Sequence, residues 1–290
     1  MERITSSRLK DKPSLASAQL THSAAPILTF QGRVKKGRSG STLSPSAVLR
    51  ALSLSKGKLS GFKRPTRVEG STSGRRTNSK FKLAVFDLDG TLTQERSVWE
   101  YIHKKLGKWY GFAEEYQKKF LAGEISYEEF CQLDAEVWKG MKAEELSEIV
   151  QTVPFHPGVD ELLDHLKQKE VKLAMVSSGL SILSDWVHRK YGFDYSVSND
   201  LLHEKGILTG KVRILVYYDQ KAEWVKRILG RFGVKREEVI AVGDSGGDLD
   251  MFKMAGFSIA FNSSCHDLDR IASLCIRTHN LADIIPRMPI

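Results

Sequence analysis

The sequence predicts an α/β fold: a mainly parallel sheet with helices on both faces, a small helical insertion after the first strand, and a disordered N-terminal tail. Three observations predict it. From residue 81 onward, short apolar runs alternate with stretches of helical period, as crossover connections between parallel strands require. The first of those runs, 83-LAVF-86, is continuously apolar rather than alternating, as suits a strand covered on both faces. Residues 1–80 are rich in Ser, Gly, Lys and Arg and hold no sustained apolar period, so they bury too little apolar surface to offset chain entropy.

The tail comes first. Residues 1–80 carry 17 Lys and Arg against 3 Asp and Glu, whereas residues 81–290 carry 27 against 32. The net charge of +9 therefore belongs to the tail, and no nucleic-acid partner is expected for the folded part. The tail itself lacks the aromatics that base stacking needs. Composition favours a basic arm without chemistry. Two other readings stand beside it: an Arg- and Ser-rich, acid-poor targeting segment, and a segment that is not genuinely part of the protein. The last rests on 51-ALSLSKGKLSGF-62, which looks like bacterial non-coding repeats read in frame. No apolar run reaches the length of a membrane span, and no signal-peptide core is evident. Cys131, Cys265 and Cys275 have no metal-ligand spacing, so buried free thiols in a reducing, cytoplasmic setting are expected.

The domain begins with a strand at Lys82–Phe86. Residues 94–156 read as a helical cap, with 81–93 and 157–290 as the core. Within the cap, Trp99, Ile102, Leu106 and Trp109 recur at helical spacing, followed by Phe112, Tyr116 and Phe120. The tryptophans read as cap core. Ser126 is a candidate N-cap for a helix through Trp138, and Ala143–Val150 gives a third. Pro157-Gly158 is expected to open a helix through Lys169, with proline in the first turn. A strand at Val171–Val176, a helix at Leu180–Tyr191 and a short strand at Tyr195–Ser198 follow. Residues 201–212 read as a hairpin turning at Lys205-Gly206. The remaining elements are a helix at Gln220–Phe232, a strand at Val239–Val242, a helix at Leu249–Ala255, a strand at Ser258–Phe261, an edge strand at Leu274–Arg277 and a last helical turn at Leu281–Ile285.

Four polar clusters sit at strand exits or helix starts: Asp87 and Asp89; Ser177, Ser178 and Gly179; Lys221; and 242-VGDSGGD-248. In a parallel sheet the strand-end clusters converge on one edge, where ligands of such folds bind. Carboxylates gathered there repel unless a hard cation sits among them, and Asp87, Asp244 and Asp248 supply oxygen ligands of the kind magnesium takes. A lysine, a hydroxyl and glycine-flanked N–H groups complement a phosphate. Singly, each has a bland reading: a strand-end turn for the two aspartates, a helix cap for Ser177, a solvated charge for Lys221, a helix N-terminal acid for Asp248.

Taken in order, the clusters resemble the four motifs of the haloacid dehalogenase-like phosphatases, with a Rossmann-like core. 87-DLDGT-91 is similar to the first motif, Ser177 to the second, Lys221 to the third, and Gly243-Asp244 with Asp248 to the fourth. The helical insertion, 206-GILTGKV-212 and 241-AVGDSGGDLDMF-252 resemble the phosphoserine phosphatase group. The resemblance implies a magnesium-dependent phosphomonoester hydrolase acting on a small phosphorylated metabolite. Asp87 would be the nucleophile and Asp89 the acid and base. Magnesium would be held by Asp87, the Asp89 carbonyl, Asp244 and Asp248, and the phosphate by Ser177, Ser178, Gly179 and Lys221. A phosphotransferase is the nearest rival. A non-catalytic binding module is disfavoured, because no motif residue is lost, and Asp89 argues against a dehalogenase. The group grips its amino acid through a cap glutamate and a cap arginine. Here the ninth residue past Asp87 is Arg96, beside Glu95, and Tyr127–Leu133 holds Gln132 but no arginine. Glu95 and Arg96 are the candidate substrate contacts, and Arg96 points to a substrate carboxylate or second phosphate.

Overall fold

The computed structural model describes residues 80–290. The expectations for the tail lie outside the described residues. Seven strands form one sheet in the order β4-β3-β2-β1-β5-β6-β7. They are β1 (Leu83–Phe86), β2 (Lys172–Leu180), β3 (Tyr195–Glu204), β4 (Ile207–Arg213), β5 (Val239–Gly243), β6 (Phe257–Phe261) and β7 (Leu274–Ile276). All pairings are parallel except β3 with β4, which is antiparallel. Every residue of β1 and β5 is buried, which explains their unbroken apolar sequences. One apolar cluster on each face completes the core. Phe86, Leu92 and Leu163 belong to one, Val85, Val225 and Phe252 to the other.

Helices α1 (Val98–Lys105), α2 (Glu114–Leu121), α3 (Tyr127–Val137) and α4 (Ala143–Val150) make up the insertion after β1. Its two connections run side by side. Gln94 N donates to the Pro154 carbonyl at 2.9 Å, and His156 N to the Leu92 carbonyl at 3.0 Å. Ser126 caps α3 as expected, in a capping box with Glu129. Trp99 and Trp138 stack at 5.5 Å inside the cap. The expected helical run from Trp99 to Phe120 is broken, however. α1 stops at Lys105, Gly107 takes a left-handed φ of 66°, and Tyr110 and Gly111 leave helical geometry within a kinked turn, Trp109–Ala113. The insertion docks on the β3–β4 hairpin. Leu208 N donates to the Met141 carbonyl, and Ala143 N to the Gly206 carbonyl, both at 2.8 Å.

The other helices are α5 (Val159–Gln168), α6 (Ser181–Tyr191), α7 (Lys221–Phe232), α8 (Leu249–Lys253) and α9 (His266–Ile271). Pro157 is not in the first turn of α5. Gly158 is the N-cap at φ 81°, and the proline lies outside the helix. β2 runs past its expected end at Val176, and β3 runs past Ser198. Beyond its buried centre, β3 continues half-exposed to pair with β4. The hairpin turns at Lys205 (φ 50°) and Gly206 (φ 81°), the two positive values that a tight hairpin turn takes. All three cysteines are free, but only Cys131 is buried. Cys275 faces outward from edge strand β7. Among the described residues no helix is long and apolar enough to cross a membrane.

Candidate active site

β1, β2 and β5 are parallel neighbours, so their carboxyl ends meet on one edge. Asp87 follows Phe86 directly, and its N–H still donates to the Val242 carbonyl at 2.9 Å. The chain then turns sharply. The Leu88 carbonyl accepts from the N–H groups of Thr91, Leu92 and Thr93. Gly90 has φ 80°, and a Cβ there would sit 2.5 Å from Asp244 Oδ2, so glycine alone lets this loop lie against the β5 end. Thr91 Oγ1 donates to Asp244 Oδ1 at 3.1 Å. Asp89 Oδ2 accepts from Val98 N at 3.1 Å, which ties it to the start of α1. Its Oδ1 is buried and has no hydrogen-bond partner.

Lys221 is the first residue of α7 and is 1% exposed, far from the usual solvated lysine. Its Nζ lies 2.7 Å from Asp87 Oδ1 and 2.7 Å from Asp248 Oδ1. Asp250 Oδ2 accepts from Ala222 N at 2.8 Å and so anchors the start of that helix. The other Asp248 oxygen accepts from Asp244 N at 3.1 Å and Ser245 N at 3.0 Å. Asp248 therefore shapes the Asp244 loop and aligns Lys221. Ser177, Ser178 and Gly179 lie within β2, at the irregularity in its pairing with β3 between Val176 and Leu180. Ser177 Oγ accepts from Gly179 N at 2.9 Å. A Cβ on Gly179 would approach Asp89 Oδ2 to 2.6 Å. Buried Asn199 holds this segment. Its Nδ2 donates to the Ser178 carbonyl at 2.9 Å, and its Oδ1 accepts from Leu215 N and Val216 N.

Crowding sets the electrostatics. Burial and then the Asp248 charge raise Asp87 well above the ordinary carboxylate range, against the pull of Lys221. Burial raises Asp89 to about 6, opposed by its bond to Val98 N. Burial, with Asp248 next, raises Asp244 to about 7. Burial alone would lower Lys221, but the charges of Asp248 and Asp87 outweigh it and raise the lysine. The carboxylates of Asp87, Asp244 and Asp248 offer oxygens within 4.8 Å of one another, all buried. Three buried acids so close fit a hard divalent cation, which relieves their repulsion.

Asp87 and Asp244 line a cavity of about 360 Å³, whereas buried Lys221 and Asp248 do not. Asp87, Asp89, Ser177, Ser178, Gly179 and Asp244 all line it. Of the two substrate candidates, Arg96 lines it and Glu95 does not. The Glu95 carbonyl instead closes the motif loop, accepting from Gly90 N at 2.7 Å. Gln132 also lies elsewhere, its Nε2 donating to the Gly210 carbonyl at 2.6 Å where the cap meets the hairpin. Several wall residues were not singled out from the sequence, among them Glu100, Gln117, Tyr127 and Tyr218. Glu100 and Gln117 are joined by a 3.3 Å hydrogen bond, and Tyr127 donates to the Ser178 carbonyl at 2.6 Å. Glu100 is the first-turn acid of α1, three residues past the N-cap Ser97, and the sequence offered no other signal for it.

The model of the haloacid dehalogenase-like hydrolases matches residues 84–253. A phosphoserine phosphatase of Archaeoglobus fulgidus is 33% identical over 211 residues, covering 71% of this chain and 60% of that protein. One of Methanocaldococcus jannaschii is 30% identical over 210 residues, covering 71% of this chain and 97% of that protein. Among solved structures, a phospho-aspartyl intermediate analogue of phosphoserine phosphatase has a TM-score of 0.64 at 28% identity, covering 72% of this chain and 99% of that one. A substrate-bound phosphoserine phosphatase complex gives the same score and identity, covering 72% and 98%.

Proposed function

We propose that this chain, which belongs to the haloacid dehalogenase-like hydrolases and to their phosphoserine phosphatase-like group, is a magnesium-dependent phosphomonoester hydrolase. The observation that carries the reading is that Asp87 and the unpartnered Asp89 Oδ1 belong to the lining of one cavity, with buried Lys221 paired to Asp87 at 2.7 Å. Asp87 and Asp244 are the side chains that would hold magnesium, with the Asp89 carbonyl, and Asp248 stands behind them. Bound there, magnesium supplies positive charge that lowers the proton affinity of the acids and draws electron density from the phosphoryl group.

The chain's own residues carry the steps. An Asp87 carboxylate oxygen attacks phosphorus, and the bond from phosphorus to the ester oxygen breaks. Asp89 Oδ1 gives its proton to the departing alkoxide. A carboxyl with a pKa of about 6 holds that proton in a useful fraction of molecules near neutrality. Asp89, now ionised, takes a proton from a water that attacks phosphorus, and the bond to Asp87 breaks to release phosphate. Lys221 and Ser177 hold the phosphoryl oxygens while charge shifts between them, with the N–H groups of Ser178 and Gly179 beside them. Gly179 N first exchanges its bond to Ser177 Oγ for the phosphate.

For the substrate, the small phosphorylated metabolite that fits best is O-phospho-L-serine. Glu100 offers a carboxylate to its ammonium group and Arg96 a guanidinium to its carboxylate, both from the cavity wall. This assigns to Glu100 the part the sequence offered to Glu95. Arg96 also favours a second reading, a different anionic phosphomonoester. The test is phosphate release with magnesium from phosphoserine, phosphoglycolate, 3-phosphoglycerate and glycerol phosphate, with Asp87→Asn as control. Preference for phosphoserine supports the substrate reading. Cleavage of the others alone moves the assignment to Arg96 and a non-amino substrate. Release of alcohol without phosphate in the presence of an acceptor alcohol would mark a phosphotransferase. No cleavage of any ester by folded protein overturns the hydrolase.

A further inference from the structure

Arg96 lies two residues before α1, and its side chain is 51% exposed, yet its guanidinium makes three hydrogen bonds to the protein. Nη1 donates to Asp244 Oδ2 at 2.9 Å and to Ser264 Oγ at 2.8 Å. Nη2 donates to the Asn262 carbonyl at 2.8 Å. Asp244 is buried, its side chain 2% exposed, and its other oxygen accepts from Thr91 Oγ1. Both of its oxygens are therefore occupied by groups of the protein. The charges divide in the same way. Lys221 spans Asp87 and Asp248 at 2.7 Å each and has no contact of that kind with Asp244. Asp244, the third acid of the cluster, draws its counter-charge from Arg96.

We propose that Arg96 is a built-in competitor of the divalent cation. Its guanidinium neutralises Asp244 Oδ2 in the metal-free protein, and cation entry displaces it from that oxygen. The inference rests on the reading that Asp87 and Asp244 hold the cation. A guanidinium and a dication on one carboxylate repel each other, so the two occupancies are anticooperative, and each weakens the other by the same factor. Two consequences follow. The site binds its cation less tightly than its acids alone would dictate. The arginine, let go by Asp244 but still within reach of Ser264 and Asn262, becomes available to an anion in the cavity only once the metal is in place. Arg96 then acts as a positioning residue that links metal occupancy to the readiness of the cavity for an anionic substrate group. The link needs a long, multiply bonding cation at this one position, since the donor to Asp244 must also hold two acceptors on the loop at 262–264.

The test is calorimetric titration of magnesium alone into the metal-free full-length protein, so that no turnover is needed. Arg96→Gln is expected to bind magnesium about tenfold more tightly or better, the scale of removing one full charge from beside a dication even under strong screening. The same variant should unfold at lower temperature than wild type in chelator, because Asp244 has lost its counter-charge. Saturating magnesium should remove most of that deficit. Should Arg96→Gln fold poorly, Arg96→Lys carries the test. It keeps the charge but cannot span three acceptors, and an intermediate tightening is expected. Unchanged or weaker magnesium binding in these variants overturns the proposal and makes Arg96 a support of the metal site. Asp244→Asn tests the underlying reading separately: wild-type magnesium affinity in that variant would refute the assignment of Asp244 as a ligand.

Discussion

Replacing Lys221 by methionine separates this account from one in which the lysine is only helix packing. The residue is 1% exposed, and its ammonium lies 2.7 Å from carboxylates whose side chains are 7% and 0% exposed. Methionine fills similar space but leaves Asp87 and Asp248 without their shared cation. Removing one partner from a buried ion pair costs about 3–5 kcal/mol. For a domain of this size, roughly 2–4 °C per kcal/mol gives a fall in Tm of about 6–20 °C. The loss should depend on pH. Burial holds the Asp87 proton well above the ordinary range and losing Lys221 raises it further, so protonating Asp87 relieves the variant at low pH and the cost grows as pH rises. Turnover should fall about 100- to 1000-fold, as when one donor to developing negative charge is lost. The assay is thermal unfolding in chelator at pH 5 and pH 8, with phosphate release in magnesium alongside. A variant as stable as wild type at pH 8, or one whose kcat is within about threefold, refutes the role given to Lys221.

Three further outcomes follow from the same geometry. Asp89 must be protonated to serve a poor leaving group, and its pKa is about 6. kcat/KM for alkyl phosphates should therefore fall as pH rises past that value, while kcat/KM for p-nitrophenyl phosphate, whose leaving group needs no proton, should not; matching profiles would remove Asp89 as the acid. Gly179→Ala places a Cβ 2.6 Å from Asp89 Oδ2, and the displaced acid should lower kcat about 100-fold with little change in Tm, measured by steady-state kinetics beside thermal unfolding. In chelator, stability should decline as pH rises from about 4 to about 7. Asp89 and Asp244 have folded-state values of about 6 and about 7, above their ordinary 3.8, so the folded protein binds more protons than the unfolded chain across that window. Magnesium should restore most at the upper end, and a stability that rises with pH in chelator would contradict this.

Much of the carboxyl edge of the sheet was legible because its residues are tied to local structure. Asp87 follows an entirely apolar strand, Asp244 follows another, and Gly90 marks the turn between them. Lys221 was legible only through its place in the motif order, since nothing local distinguishes a lysine at a helix start from a solvated one. Its burial comes from two carboxylates distant in sequence. The cap was less legible. Apolar spacing carried through Leu106 and Trp109, but Gly107 and Gly111 ended one helix and kinked the next, and periodicity does not register a backbone break. The sequence split β3 into a short strand at Tyr195–Ser198 and a hairpin arm from Leu201, because Asn199 and Asp200 between them read as a break. Pairing with β2 at Asn199 and with β4 at Asp200 makes them strand. α9 is short and polar and gave no periodic signal. Arg96 was recognised as out of pattern, but its partners are tertiary: Asp244 lies 148 residues away. Glu100, rather than Glu95, reaches the cavity because α1 begins after the Glu95 carbonyl has been spent on the Gly90 turn.

The central claim is that Asp87 becomes covalently phosphorylated. The direct measurement is mass spectrometry of the Asp89→Asn variant, acid-quenched during turnover of p-nitrophenyl phosphate, whose leaving group needs no proton, with magnesium and digested for peptide mapping. That variant lacks the base that activates water, so a phosphoenzyme should accumulate. The account predicts one added phosphoryl group on the peptide containing Asp87, removable by hydroxylamine and absent when Asp87 is also changed to asparagine. Turnover without any such adduct, or an adduct on a different residue, would contradict it.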